Sequence, residues 1–290
     1  MLLGLSKAVR NLLTFLNQVY LLEVVGGVAV TCLGWVSCYL TRSPWLRSAP
    51  LWLGGYLLVY NLDRLHYDPA DQVNTPTRFL YRESLRSKRL FLIWLSAATL
   101  IGWPAVTGRW WLIPPIVLAI AALQFYSRPV PLVQKRLKDL PVLKTFIAPL
   151  LIASVLVLWP VLELRRSLGA REVLVFLWCF IILSVNSISF DLRDIQGDLR
   201  NGTKTVPVLL GANWSIALIG ALALLATLLS PLLGLRGAAN VLLPCSLLLG
   251  GGSILVALFS HVQPITLSFV ADLFFFLPAF ALWVGATCGW

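Results

Sequence analysis

The sequence predicts an all-α integral membrane protein, a single polytopic domain over residues 1–290 built as a bundle of about nine transmembrane helices, and three observations predict it. Hydrophobic residues make up 59% of the chain and charged residues only 12%, where soluble domains carry about 25% charge. Mean hydropathy is +0.85, and apolar runs of roughly 18–23 residues recur along the chain, each able to cross a hydrocarbon core of about 30 Å as a helix. Short segments of alternating polarity, which a membrane β-barrel requires, are absent from the sequence.

The elements follow in chain order. Residues 1–18 are amphipathic and carry Lys7 and Arg10, which reads as an interfacial helix rather than a cleavable signal. Spans are then expected at 20–40, 51–65, 90–106, 111–126, 142–162, 173–190, 215–233, 239–261 and 269–289. Trp45, Trp52, Trp110, Trp111, Trp159 and Trp290 sit near expected ends, as an aromatic belt requires. Gly250, Gly251 and Gly252 lie inside an apolar run, so they read as close helix packing or a kink rather than phosphate binding. Asp272 is alone in the ninth run, where a carboxylate must snorkel or pair with a neighbouring helix. The cysteines (Cys32, Cys38, Cys179, Cys245, Cys288) fall in or beside apolar runs without a CxxC pair, which argues against a disulfide framework or thiolate metal site. His66 reads as an interfacial side chain and His261 as a loop or helix end.

Net charge is +11, but the basic residues lie between apolar runs. That placement fits topology signals and anionic membrane lipids, not nucleic acid. Most of the basic residues fall on one side: Lys7 and Arg10, the 2–3 connection from Arg64 to Arg89, the 4–5 connection from Arg128 to Lys144, and Arg193, Arg200 and Lys204. The positive-inside rule puts that side, with the N-terminus, in the cytoplasm and the C-terminus outside. A bacterial inner membrane is the default, with an organelle membrane the alternative.

Chemistry concentrates on the cytoplasmic side. The sixth run ends in Asp191-Leu192-Arg193-Asp194-Ile195-Gln196-Gly197-Asp198. At about 100° per residue, positions i, i+3 and i+7 fall within roughly 60° of one another, so a continuing helix gathers Asp191, Asp194 and Asp198 into one acidic stripe. The alternative is a solvated, charged helix end. A second polar group, Asn61, Asp63, Asp68 and Asp71, closes the second span on the same side. Between the two lie Tyr126-Ser127-Arg128-Pro129 and Lys135-Arg136. Two carboxylate clusters with a basic loop are what a magnesium–diphosphate needs: Mg²⁺ takes oxygen ligands and shares them with phosphates, and Lys or Arg neutralises the rest.

These residues resemble the UbiA superfamily of intramembrane prenyltransferases. Asp191-x-x-Asp194-x-x-x-Asp198 with Gly197, then Gly202-x-Lys204-Thr205-Val206-Pro207 and Gly211, is similar to the family's second motif. Asp63-Arg64 resembles the middle of its first motif, and Asp71, Asn74, Pro76 and Arg78 resemble its tail. Tyr126-Ser127 and Lys135-Arg136 resemble its Tyr-Ser…Lys-Arg loop. The first motif departs from the pattern. Val59 holds the expected Asn position, Asn61 comes two residues late, and about one helical turn containing Asp68 and Pro69 is inserted between Asp63 and Asp71. Pro69 would break a continuing helix but suits an early position of a new one.

The resemblance implies a cytoplasm-facing cavity in which Asp63, Asp71, Asp191, Asp194 and Asp198, with Asn61 and Asp68, hold Mg²⁺ against an isoprenoid diphosphate. It implies that Asp63, Asp71, Asp191 and Asp194 carry catalysis, and that Arg78, Tyr126, Lys135, Arg136 and Lys204 line the diphosphate. The implied activity is transfer of a prenyl chain to an aromatic acceptor, in the making of a quinone, tocopherol or chlorophyll-type lipid. Terpene cyclisation on the same fold, and non-catalytic lipid binding or transport, are the alternatives.

Overall fold

The computed structural model describes residues 7–65, 69–127, 140–233, 236–259, 269 and 271–287, and among them there is no strand. Its helices are α1 (Lys7–Leu21), α2 (Val24–Thr41), α3 (Ala49–Leu65), α4 (Pro69–Asn74), α5 (Pro76–Leu80), α6 (Arg86–Val106) and α7 (Ile113–Ser127). They continue as α8 (Leu143–Glu163), α9 (Ala170–Arg200), α10 (Val206–Leu210), α11 (Ala212–Leu229), α12 (Arg236–Phe259) and α13 (Phe276–Thr287). Within the described residues, the expected spans coincide largely with α2, α3, α6, α7, α8, α9, α11, α12 and α13. Among the described residues, five helical stretches are long and apolar enough to cross a membrane: Val24–Thr41, Arg86–Val106, Leu143–Glu163, Ala170–Arg200 and Ala212–Leu233. Shorter apolar helices cover Trp110–Ala121, Val241–Leu255 and Ala271–Gly285.

The outer faces show why this is an integral membrane protein. On α6, Trp94 is 74% and Phe91 66% exposed, beside exposed Leu95 and Ile101. Apolar surface of that extent is stable against lipid and costly against water.

Helix α9 sits at the centre, packed on α2, α4, α8, α10, α11 and α12. Val175, Trp178, Cys179, Ile182, Val185 and Ile188 are all buried along it. In lipid, where apolar burial drives little association, small residues and buried hydrogen bonds hold helices together. Trp178 Nε1 donates to Ser246 Oγ of α12 at 3.2 Å, and Ser37 Oγ of α2 donates to the Leu156 carbonyl of α8 at 3.1 Å. Gly34 lies against the face of Trp52, and Gly250 meets Ala223 of α11, so a Cβ at either would collide. In the glycine run, Gly250 and Gly252 are thus close-packing positions, the latter against Phe274, while Gly251 faces open space.

Two expected spans are interrupted. The first, 20–40, breaks at Glu23, which adopts a left-handed backbone (φ 62) before α2. The cause is electrostatic: Glu23 is buried, and its Oε1 accepts from Arg64 Nε at 3.2 Å. A continuous helix has no reason to turn a carboxylate towards that guanidinium. The last span is broken by a turn at Phe274 and Phe275, so Asp272 precedes α13 instead of lying within it.

At the end of the bundle remote from Asp191, the Glu163 carboxylate closes three connections together. Arg109 Nη1 donates to its Oε1 and Ser48 Oγ donates to its Oε2 at 2.8 Å. Arg166 Nη2 reaches Ser43 Oγ at 2.8 Å nearby. Removing one partner of a buried ion pair leaves the other charge desolvated. Arg109→Met is therefore expected to destabilise the fold by about 3 kcal/mol, with Glu163→Gln in the same chain recovering part of the loss; thermal unfolding of the purified variants in detergent checks this.

Candidate active site

The thirty-one residues of α9 measure about 46 Å at 1.5 Å per residue, well beyond a hydrocarbon core of roughly 30 Å. Its last turns therefore leave the core with the acidic stripe on them. The helix is unbroken from Ala170 to Arg200, which puts Asp191, Asp194 and Asp198 on one face. That face is turned inward: Asp191 is 5% exposed and Asp198 1%, with Asp194 partly buried. A solvated helix end does not bury its carboxylates.

Each carboxylate has a specific partner. Lys144 Nζ lies 2.5 and 2.7 Å from the two oxygens of Asp198 and 3.8 Å from Asp191 Oδ1. Thr145 Oγ1 donates to Asp191 Oδ2 at 2.6 Å and accepts the Val206 N–H of α10 at 3.2 Å. Ser187 Oγ of α9 donates to the Thr145 carbonyl at 2.7 Å. Arg193 bonds Asp194 with two donors, at 2.7 and 2.8 Å, and stacks on Phe190 at 5.2 Å.

The chain entering α8 is held awkwardly to make this possible. Val142, a β-branched residue, stands at φ 65, a conformation such residues rarely adopt. Its N–H donates to the Lys204 carbonyl at 2.8 Å, which ties the start of α8 to the turn after α9. That turn needs Gly202 at φ 68, which glycine adopts without steric cost.

The first-motif segment reaches α9 through α4. Asn74 Oδ1 accepts the Gly197 N–H at 2.9 Å, and a Cβ at Gly197 would strike the Asn74 amide. Glycine before the last aspartate is thus what lets α4 dock beside Asp194 and Asp198. Pro69 is the first residue of α4 and Pro76 the first of α5, the helix position where proline's missing N–H costs nothing. Asp63 stands at the end of α3, with its Oδ2 3.9 Å from Arg64 Nη1. Asn61 is buried; its Nδ2 donates to the Leu22 and Leu57 carbonyls at 3.1 and 2.9 Å. Its Oδ1 has no hydrogen-bond partner among the described residues.

Of the other expected site residues, Lys204 lies in the turn after α9 and is exposed. Asp71, Arg78 and Tyr126 stand on α4, α5 and α7, with side chains outside the described structure. Asp68, Lys135 and Arg136 lie outside the described residues.

The donor set fits a hard cation: carboxylate oxygens on α9, a carboxylate on α3, and a buried amide oxygen lacking a partner. Among the described residues, no three His, Cys, Asp or Glu side chains lie close enough to hold an ion together.

A model of the UbiA prenyltransferase family matches residues 67–278. The chain belongs to the UbiA prenyltransferase family. It is 31% identical over 170 residues to a protein of Methanopyrus kandleri named digeranylgeranylglyceryl phosphate synthase, a match covering 58% of each chain. The chain thus spans well under two thirds of that relative. A solved UbiA homologue from Aeropyrum pernix K1, in its apo form, superposes with a TM-score of 0.64 at 16% identity, over 90% of this chain and 98% of that one. That likeness is one of fold.

Against the UbiA pattern, the residues not foreseen from the sequence are Lys144 and Thr145, with Arg193 in a supporting place; Asn74, read as part of the first motif's tail, has its partner in Gly197. Lys144 reads in the sequence as one more loop charge. The signal that marks it is positional. It stands in the first turn of α8, where the helix dipole disfavours a cation, so a specific anion has to hold it there.

Gly197→Ala tests the α4–α9 junction of the UbiA fold. The added methyl has to displace the Asn74 side chain. The expected cost is about 1–3 kcal/mol of stability, and Asn74→Ala in the same chain is expected to relieve most of it; thermal melting of the single and double variants is the measurement.

Proposed function

We propose that this protein transfers a prenyl chain from an isoprenoid diphosphate to an acceptor, using Mg²⁺ where α4 meets α9. The observation that carries the reading is the inward, buried acidic face of α9 docked at Gly197 against the first-motif helix. The reading gives Asp63, Asp71 and Asp194, with Asp191, Asp198, Asn61 and Asp68, the task of holding metal. A divalent ion bound there supplies charge neutralisation of the departing diphosphate. Arg78, Lys135, Arg136 and Lys204 add positive charge around the phosphate oxygens, and Tyr126 lines the same space. The prenyl tail lies among the apolar helices, which exclude water from the reacting carbon. The C1–O bond breaks with its electron pair leaving on diphosphate; the acceptor nucleophile bonds C1 and gives up its proton. The excess of basic residues in the connections at this end supports a cytoplasmic placement for it.

The acceptor in the primary reading is an aromatic ring of a quinone, tocopherol or chlorophyll-type precursor. The name of the Methanopyrus relative supports a second acceptor class, a prenylated glyceryl phosphate.

The purified protein, incubated with Mg²⁺ and labelled isoprenoid diphosphates of graded length, is expected to release diphosphate only when an acceptor is present. Aromatic acids, phenols and a monoprenylated glyceryl phosphate are the acceptors to compare, with product mass identifying the one used. Hydrocarbon formed without acceptor means cyclisation instead. No release with Mg²⁺ or Mn²⁺ overturns the enzymatic reading. Asp194→Ala is expected to slow turnover about 10²–10³-fold, the scale of losing one charge-stabilising group, while the variant still inserts and purifies as a monodisperse protein.

A further inference from the structure

Lys144 has no place in the mechanism above, yet it makes the shortest charged contacts of the acidic face. Its ammonium spans both oxygens of Asp198 at 2.5 and 2.7 Å and reaches Asp191 Oδ1 at 3.8 Å. The remaining Asp191 oxygen is taken by Thr145 Oγ1 at 2.6 Å. A chelated position between two carboxylates is where a divalent ion would sit. The side chains involved are 2% and 7% exposed for Asp198 and Asp191.

We propose that the Lys144 ammonium is a protein-supplied cation of this site, standing permanently where Asp191 and Asp198 would otherwise share a divalent ion. The protein therefore binds one ion fewer than its carboxylates alone would hold. This inference rests on the metal–diphosphate reading and refines it.

Three features hold Lys144 in place. The residue belongs to the first turn of α8, and the next residue, Thr145, is fixed to α9 and α10 through Asp191, Ser187 and Val206. The preceding turn is anchored by the Val142 N–H on the Lys204 carbonyl. Finally, both a left-handed valine and a lysine at a helix N-terminus are locally unfavourable. Local rules broken in adjacent positions point to a functional demand. A displaceable counter-ion needs no such scaffold; an exposed lysine on a flexible stem would serve.

A divalent ion placed between Asp191 and Asp198 would be repelled by the ammonium, which is held there by both oxygens of Asp198. Metal binding then falls to Asp194 and the first-motif carboxylates.

The test counts Mn²⁺ bound per chain, by paramagnetic resonance of the free ion, in purified full-length protein with inorganic diphosphate. Wild type and Lys144→Arg are expected to bind the same number, and Lys144→Met one more. In the converse arm, Asp194→Asn is expected to lower the number by one. Equal numbers in wild type and Lys144→Met overturn the proposal. That holds even if Mn²⁺ binds tenfold tighter to the variant, since Lys144 is then a counter-ion that metal displaces. Should Lys144→Met fail to fold, Lys144→Gln, which keeps a hydrogen-bond donor for Asp198 without the charge, is counted in its place, and a number equal to that of wild type overturns the proposal. Wild type binding no Mn²⁺ sinks the metal-dependent reading of function; an ion gained by Lys144→Met in that case still supports the stand-in role.

Discussion

Burying Asp191 and Asp198 at the end of a membrane helix is the constraint around which α8, α9 and α10 are arranged. Taking a carboxylate out of water costs several kcal/mol unless charge and hydrogen bonds are returned to it. The returns here come from one short stretch, Lys144 and Thr145. Because Thr145 also receives the Val206 N–H and its carbonyl receives Ser187, satisfying the carboxylates and docking three helices are the same event. The turn through Gly202 and the Lys204 carbonyl closes the arrangement. Any substitution that removes the charge from Asp198 therefore also loosens the start of α8, and stability and chemistry at this end are not separable residue by residue.

The opposite end obeys the same electrostatics with a different outcome. Glu163 has a guanidinium and a hydroxyl on its two oxygens, so one carboxylate meets one cation and the cluster is closed. On the α9 face, Asp191 and Asp198 meet Lys144, and Asp194 meets Arg193. What sets this end apart is the buried Asn61 Oδ1, which has no hydrogen-bond partner among the described residues, whereas both oxygens of Glu163 are taken.

Much of this was legible beforehand because membrane helices obey one strong rule: every backbone group must be satisfied within the segment. Hydropathy therefore finds α2, α6, α8, α9 and α11, and helical periodicity puts Asp191, Asp194 and Asp198 on one side of α9. What the sequence hid are consequences of contacts distant along the chain. Glu23 interrupts the first span because Arg64, forty-one residues on, draws its carboxylate. Lys144 looks like a topology charge because its partner, Asp198, is fifty-four residues away. Neither separation leaves a local pattern, although a cation in a first helical turn is a local anomaly that a stricter reading would pursue.

The lengthened first motif is the remaining departure, and the fold shows how it is tolerated at its downstream end. Extra residues inside a helix would rotate everything beyond them by about 100° each, swinging Asp71 and Asn74 away from any surface set by Asp63. Here α3 ends at Leu65 and a new helix starts at Pro69, so the register of α4 is not inherited from α3. It is fixed instead by the Gly197 N–H on Asn74, one turn beyond Asp71. Helix α4 thus takes its position from α9 and not from the helix before it. That decoupling lets the spacing between Asp63 and Asp71 change while the α4–α9 junction keeps its geometry, and it leaves Asp63 as the residue whose relation to the acidic face the insertion alters.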